Sequence, residues 1–427
     1  MYLRCRESWV AFVTLMGVFL LASVVSAQTV VSHMHYANHH APWYEWLQER
    51  VIAFEKLNPD IRIDLFVTTD GTGVNQLTAM AAGGSVPDVT ELALVYGGMF
   101  AGKGFFEDLR PFIERDRIDM RVFPPVTVEA VTWSNGEVWG IPVDLYTVPA
   151  FFNKDMFDEG GLIYPNAMGE DWNWDAVVEI GRKLSRDTNL DGYFDRKAIT
   201  GLGGMWSHMA VVRQAGGLLF DRYKDPTESR FNTREVERAI QWLVELYRTH
   251  GVLEDTYHGL NQGISAVSLT SGPSEITMLN EAGINFDVAL QPKGPASRAA
   301  YSVTASFQIP KGAKQPDAAW RWIKFLALED ESVRNFVATT SRLPAFLPVA
   351  RHYQRYVIDP PASVNLILEN VLNPAAFHLP IGPFARDALS ALSSRRTQLM
   401  RGDMDVRTFL EDAHQRATAI LSERQNR

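Results

Sequence analysis

Two prolines bracket a polar segment in the first half of the chain. Pro142 and Pro149 lie on either side of Asp144–Thr147. Because the residue before a proline is driven toward extended conformations, this stretch should cross the molecule rather than coil. A polar break within an extended crossing is expected where a chain leaves one lobe for another beside a cleft. The segment therefore predicts two lobes, and it places the Asp144 carboxylate toward a ligand rather than the core.

Apolar periodicity on both sides of this crossing alternates between strand and helix. Residues 29–36 alternate as a strand, 42–57 repeat near the helical period, and a second strand begins at Ile61. A helix over 74–82 and a strand opening at Val89 follow. Strands that alternate with helices favour a mostly parallel α/β sheet. Further along, the sequence predicts strands over 286–290 and 302–309 and helices over 174–184, 233–249, 316–329, 383–400 and 405–422.

Composition excludes several classes of protein. The 427 residues are enough for two lobes with separate cores or for one large domain. A hydrophobic fraction of 46% with 21% charged residues is typical of a folded globular chain. The net charge is −9 and no basic stripe is present, which argues against a nucleic-acid partner, because such binding depends on basic side chains facing phosphates.

The N-terminus has the pattern of a secretory signal peptide. Arg4 and Arg6 precede an apolar run over 10–25, and small residues at 25–27 form a cleavage site. An uncleaved membrane anchor is the alternative, but the run is short for a membrane span. We predict that residues 1–27 are a signal peptide removed after Ala27, and that the mature protein is periplasmic.

The single cysteine lies on the wrong side of that run to carry a lipid. Cys5 precedes the apolar segment, whereas a lipid-accepting cysteine would follow it. The mature chain is therefore expected to have no lipid anchor, disulfide, thiolate nucleophile or cysteine-bound metal.

The crossing and several other segments resemble the family 1 extracellular solute-binding proteins of ABC importers, the maltose-binding-protein-like, sugar-type group. The resemblance implies an α/β, type II periplasmic binding protein fold with two lobes, each a mixed sheet flanked by helices, and a ligand cleft between them. The segments that carry it, in their order along the chain, are 53–61, 81–89, 104–109, 141–157, 309–326 and 342–344.

The resemblance also sets the expected lobe boundaries. The N-terminal lobe should comprise 28–145 and 300–345, and the C-terminal lobe 146–299 and 346–427. Three crossings, near 144–147, 299–303 and 342–347, should form the hinge.

The implied function is capture of a ligand by hinge closure and delivery to an ABC permease in the inner membrane. A sugar, oligosaccharide or polyol is the expected ligand, and the protein is expected to act as a monomer. No nucleophile elbow, phosphate-binding glycine loop or His-Glu-x-x-His motif is present, so no enzymatic activity is predicted. Two alternatives stay open: a secreted carbohydrate-active enzyme, which would form product, and a ligand-presenting partner of a membrane sensor.

Candidate ligand groups follow from the resemblance and from aromatic residues beside turns. Trp206 follows a glycine pair in an expected loop and would offer an apolar plate to a sugar. Trp43 offers the same surface but equally suits packing on its own helix. The segment 268–273 departs from the family pattern, so its contribution is left open. The predicted ligand-binding residues are Asn38, His39, Trp43, Glu91, Tyr96, Asp144, Trp206 and Tyr301.

An acidic loop after the 174–184 helix follows most of a calcium-loop pattern. Its oxygen-bearing side chains occupy positions 1, 3, 5 and 9, a glycine occupies position 6, and position 12 is Ala198 rather than the usual glutamate. The alternative is an acidic turn without metal. A structural calcium ion is the one cofactor predicted, with no cofactor required for binding, and its ligands would be Asp187, Asn189, Asp191, Tyr193 (through its carbonyl) and Asp195.

Histidines concentrate around the first strand. His33 and His35 share one strand face, and His39 and His40 follow in the turn. Zinc capture is one hypothesis for such a cluster. No second group of ligands stands out at metal spacing, so a strand entering the cleft, with turn histidines that bond ligand, is the favoured interpretation.

N-terminal sequencing of the exported protein tests the signal-peptide prediction. The mature chain should begin at Gln28, because the small residues at 25–27 follow a short apolar run. An exported chain that keeps residues 1–27 would contradict the prediction.

Overall fold

The computed structural model describes residues 28–37, 39, 41–254 and 259–423. The predicted signal peptide and the predicted ligand residue Asn38 lie outside these residues, as does His40. Within the described part of the chain, no helix has both the length and the apolar character needed to cross a membrane.

Thirteen strands form three sheets in the described residues. They are β1 (Thr29–His35), β2 (Ile61–Val67), β3 (Val89–Ala93), β4 (Ile141–Pro142), β5 (Asp144–Thr147), β6 (Ala150–Asn153), β7 (Ile199–Thr200), β8 (Val267–Ser268), β9 (Phe286–Ala289), β10 (Tyr301–Val303), β11 (Ala305–Gln308), β12 (Leu343–Pro344) and β13 (Phe377–His378).

Helices flank the sheets. They are α1 (Ala41–Leu57), α2 (Val74–Ala82), α3 (Leu94–Ala101), α4 (Arg110–Arg115), α5 (Pro125–Val131), α6 (Lys154–Glu159), α7 (Trp174–Leu184), α8 (Met205–Gln214), α9 (Arg234–Val244), α10 (Glu275–Glu281), α11 (Pro316–Leu328), α12 (Asp330–Thr340), α13 (Leu347–Ala350), α14 (Leu366–Leu372), α15 (Ala385–Ser390), α16 (Arg396–Arg401) and α17 (Val406–Ser422).

The first sheet has the strand order β2-β1-β3-β11-β4. β1 pairs in parallel with β2 and β3, whereas β11 is antiparallel to both β3 and β4. The sheet is thus mixed, and the expectation of a mostly parallel sheet holds only for its first three strands. α1 packs here because its buried residues Trp43, Trp46, Leu47 and Phe54 recur at helical spacing on one face.

The second sheet has the order β7-β8-β6-β9 and its own hydrophobic core. Only the β7–β8 pair is parallel. α7, whose bounds match the prediction, is capped by Asn173, whose side-chain oxygen accepts from the Ala176 amide at 3.0 Å. Trp174 at its first position stacks on Trp242 of α9 at a ring distance of 4.3 Å, which joins two helices of this core.

A third sheet, called the central sheet here, has the strand order β12-β5-β10-β13. Along the chain, its strand β5 comes between a strand of the first sheet and a strand of the second. The predicted crossing visits all three sheets within thirteen residues: β4 belongs to the first, β5 to the central and β6 to the second. β5, β10 and β12 fall at the three segments predicted as crossings. The lobe boundaries themselves stay predictions.

Two predicted elements were wrong in extent. The strand expected over 302–309 is two strands in different sheets, separated at Thr304, whose carbonyl accepts from the Leu94 amide at 3.0 Å. The helix expected over 383–400 is α15 and α16 with a turn between them. Ser390 and Ser394 there bond backbone carbonyls of the preceding turn, which competes with a continuous helix.

Candidate ligand-binding cleft

A cleft of about 380 Å³ opens at the central sheet. Its walls come from the turn after β1, the start of α3, the strands β5 and β10, the first turn of α8 and the loop after β8. Both large sheets therefore contribute a side, and the crossings form the base. The polar and aromatic residues that line it are Tyr36, His39, Tyr96, Asp144, Tyr146, Trp206, Thr270, Ser271, Glu275, Tyr301 and Arg342.

Five of the eight predicted ligand residues line this cleft, namely His39, Tyr96, Asp144, Trp206 and Tyr301. Two others, Glu91 and Trp43, are buried beside it. Trp43 lines a separate neighbouring cavity of about 220 Å³ instead. Most of the predicted residues therefore gather at one cleft, and contact between any of these side chains and a ligand stays a prediction.

Asp144 is more engaged with the protein than the sequence indicated. Its Oδ1 accepts from the Ala305 amide at 2.7 Å, and its Oδ2 accepts from the Arg342 guanidinium at 2.6 Å. The side chain is only 3% exposed. The carboxylate thus lines the cleft while bonding two other crossings, so it has a structural role that the expectation of a ligand-facing group did not include.

Arg342 links this carboxylate to a buried aromatic stack. Its guanidinium lies 5.1 Å from the centre of the Trp43 ring, and Trp43 in turn stacks on His39 with ring centres 4.1 Å apart and planes 17° from parallel. His39 Nδ1 hydrogen-bonds Glu91 Oε1. A continuous chain of contacts therefore runs from Asp144 at the base of the cleft to Glu91 behind it.

Glu91 is the buried end of this chain. Burial alone would raise the pKa of its carboxyl, but the charge and hydrogen bonds of His35 and His39 outweigh burial and hold that pKa well below its usual range. Burial lowers the pKa of His33 to about 4, and it also lowers the pKa of His39 despite the adjacent carboxylate. The electrostatics behind the cleft therefore centre on an ionised Glu91.

Several aromatic rings line the cleft. Tyr36 and Tyr96 approach each other with ring centres 6.1 Å apart on one side. Trp206 lies on the other side, in the first turn of α8 rather than in the expected loop. Tyr146 lies between them on β5 and its hydroxyl donates to the Thr270 carbonyl at 3.5 Å. This arrangement offers aromatic faces from both sides of the cleft.

Several lining residues were not predicted as ligand groups. Tyr146 shares a strand face with Asp144, so the period-two pattern of β5 would have indicated it. Thr270 and Ser271 belong to the segment whose role was left open, and it does reach the cleft. Arg342 lies 198 residues from Asp144, and nothing in the local sequence pairs the two.

The predicted calcium loop is exposed and held by its own carboxylates. Asp187 accepts from the amides of Asp191 at 3.2 Å and Gly192 at 2.8 Å, and Asp195 accepts from the Thr188 hydroxyl at 2.6 Å. Among the described residues, the carboxylates of this loop do not converge into a group of three within ligand distance. The hydrogen bonds suit an acidic turn, and calcium stays a prediction.

Asp144→Ala should lower the free energy of unfolding of the unliganded protein by about 2 kcal/mol, because the partly buried Arg342 guanidinium loses its charged hydrogen-bond partner. Chemical denaturation of ligand-free protein measures this. Asp144→Asn keeps an oxygen for the Ala305 amide and should cost less. Equal stability of Asp144→Ala and wild type would contradict the bonding described for this carboxylate.

Chelation tests the calcium loop. If calcium binds there, a chelator should lower the melting temperature and added calcium restore it, while Asp191→Ala should respond to neither. Asp221→Ala removes a similar carboxylate that accepts from the Thr227 and Glu228 amides, so it is a matched control that should keep the calcium response. A wild type that melts equally with and without chelator would leave the acidic-turn interpretation.

Known proteins resemble this chain in sequence and fold. The family model described as bacterial extracellular solute-binding protein matches residues 36–332. A binding protein of Brucella abortus (strain 2308) is 23% identical over 424 residues, which cover 95% of this chain and 97% of that relative.

Two solved structures share the fold across nearly the whole chain. An ABC substrate-binding protein from Listeria monocytogenes in complex with cycloalternan superposes with a TM-score of 0.79 at 21% identity, covering 92% of this chain and 99% of that one. The cyclic alpha-maltosyl-1,6-maltose binding protein from Arthrobacter globiformis gives 0.78 at 20% identity, covering 93% and 100%. The two-lobed α/β fold predicted from the sequence is confirmed. With a family match over most of its length, the chain belongs to the bacterial extracellular solute-binding proteins.

Proposed function

We propose that this protein is the substrate-binding component of an ABC importer and that it captures a carbohydrate in the cleft at the central sheet. The observation that carries the proposal is the lining itself: aromatic rings from both sides of the cleft, with hydroxyls and a buried ion pair between them. Sugars present apolar C–H faces and a rim of hydroxyls, so they suit a mostly apolar site with a few fixed polar groups. The sugar ligands named for the two solved relatives support the same class.

The origin of the lining residues supports closure of the cleft on its ligand. Trp206, Thr270 and Ser271 come from the side of the second sheet, whereas Tyr36 and Tyr96 come from the side of the first. A ligand held by both sides gains its full set of contacts only when the two lobes approach, so binding and closure are coupled. The strands β5, β10 and β12 would serve as the hinge.

The remaining parts of the proposal follow from this role. The mature protein would act as a periplasmic monomer after loss of residues 1–27, without a lipid anchor or a required cofactor, and its closed form would dock on a permease in the inner membrane. It would not be an enzyme. Product formation from a bound oligosaccharide would instead support a carbohydrate-active enzyme, and a neighbouring sensor kinase gene without a permease gene would support ligand presentation to a sensor.

Calorimetric titration with monosaccharides, linear and cyclic oligosaccharides and polyols tests the carbohydrate proposal. Trp206→Ala should weaken binding of the best ligand by at least about tenfold, or about 1.4 kcal/mol, because it removes the aromatic face on one side. Trp133→Ala is the matched control, since Trp133 is also partly buried but lies outside the cleft.

Small-angle scattering measures closure in the same samples. Wild type should become more compact on binding, and Trp206→Ala should need more ligand to do so. Unchanged affinity in Trp206→Ala would contradict this cleft as the site. Tight binding without compaction would contradict the hinge mechanism.

A further inference from the structure

A histidine–carboxylate cluster lies directly behind the cleft. β1 and β3 are parallel neighbours with His33 opposite Val89, and this register brings His35 beside Glu91. His35 Nδ1 lies 3.1 Å from Glu91 Oε2, and His39 reaches the other carboxylate oxygen from the turn after β1. One ligand atom from each of the three residues lies within 4.8 Å of the others. The three side chains therefore converge on one point.

This cluster is buried and carries a carboxylate without a lysine or arginine partner among the described residues. Glu91 is fully buried, and each of its ion-pair contacts in that part of the chain is with a histidine. Burying an ionised carboxylate is costly unless a positive charge or a metal ion accompanies it. A protonated histidine supplies that charge in the hydrogen-bonded form, and a cation bound by two neutral imidazoles and this carboxylate would take its place.

His33 is arranged to support such a site rather than to bind the ion. Trp322 Nε1, which can only donate, lies 3.0 Å from His33 Nδ1, so Nδ1 accepts and the ring hydrogen is on Nε2. That Nε2 is buried, makes no hydrogen bond to any described residue, and lies 3.9 Å from Glu91 Oε2. At 3.9 Å this N–H is beyond hydrogen-bond distance, so a small shift of the Glu91 carboxylate on metal binding would let the carboxylate accept from Nε2 and be oriented by it.

We propose that His35 Nδ1, His39 Nδ1 and the Glu91 carboxylate bind a divalent transition-metal ion of the zinc type. Imidazole nitrogens with one carboxylate suit zinc, whereas calcium and magnesium take oxygen ligands. His39 lines the cleft, so the ion has an entry path from the cleft and a fourth coordination position on that side. His39 belongs both to this site and to the cleft lining, but the metal proposal does not depend on carbohydrate capture.

Metal binding would stiffen one wall of the cleft. The His39 ring is already oriented by its stack on Trp43, and the metal would tie this turn to β3. The cleft residues Tyr36 and Tyr96 follow β1 and β3 closely in sequence. A metal ion that joins these two strands would therefore also restrict the movement of both tyrosines. The histidine pattern of β1 thus gains the second ligand group that the local sequence lacked, because the sheet brings Glu91 to it.

Zinc titration of tag-free, chelator-treated wild type in the absence of sugar tests the site. The protein should retain one equivalent of zinc through desalting and melt at a higher temperature with zinc, while magnesium at equal concentration should give no rise. Glu91→Gln and His39→Gln should each weaken zinc binding at least about tenfold. His414→Gln, which removes a histidine of α17 that bonds Ser229, is the matched control and should bind like wild type.

X-ray absorption of the zinc-loaded wild type needs no variant, so its result does not depend on whether a variant folds. It should show imidazole scatterers with Zn–N near about 2.0–2.1 Å. Wild type that retains no zinc after desalting, a spectrum without imidazole, or folded Glu91→Gln that binds zinc like wild type would each overturn the proposal. In that case the three side chains form a hydrogen-bond network only, and the proposal of carbohydrate binding still stands.

Discussion

The Asp144 carboxylate joins all three segments that pass between the sheets. Asp144 begins β5, Ala305 begins β11 immediately after β10, and Arg342 immediately precedes β12, and both oxygens of the carboxylate are used in these bonds. A largely buried, charge-assisted pair of this kind fixes the relative positions of the segments that carry it, because removing either partner leaves the other charge unpaired. The Asp144 side chain therefore links these three segments at the base of the cleft, and a ligand bound there would touch the point from which both lobes extend.

From that point, polar and aromatic contacts continue away from the cleft rather than ending at its surface. Arg342 lies over Trp43, Trp43 stacks on His39, and His39 bonds Glu91 behind the sheet edge. Each of these groups is held by its neighbour, which limits the freedom of the cleft wall before ligand arrives. Such preorganisation lowers the ordering cost of binding. It also explains why Glu91 and Trp43, which look like ligand groups in sequence, are buried supports of the residues that line the cleft.

Much of the first sheet and several helices of both cores were predictable because local patterns and burial agree there. α2 and α7 have the predicted bounds, and the crossing at 141–153 is extended, as its prolines indicated, with its strands in three different sheets. Prediction failed where a chain changes partners without a local signal. Thr304 lies in a segment whose alternating polar and apolar residues read as one strand, and the strand is divided there because β10 and β11 belong to different sheets. Trp206 belongs to a helix, since Gly204 is the N-cap of α8 and the helix begins at the next residue. The glycine pair had suggested a longer loop.

The sequence by itself determined the fold class, the family and the region of the cleft, because apolar periodicity, proline positions and ordered motifs are properties of neighbouring residues. Tertiary structure alone decided which side chains meet. Arg342 and Asp144 are 198 residues apart, and His39 and Glu91 are 52 apart, so no spacing rule connects them. Their contacts depend on strand register and on the order of strands in a sheet, which many distant residues fix together through burial. That is why Asp144 could be placed at the cleft from sequence, while its bonds and the histidine–carboxylate cluster could not.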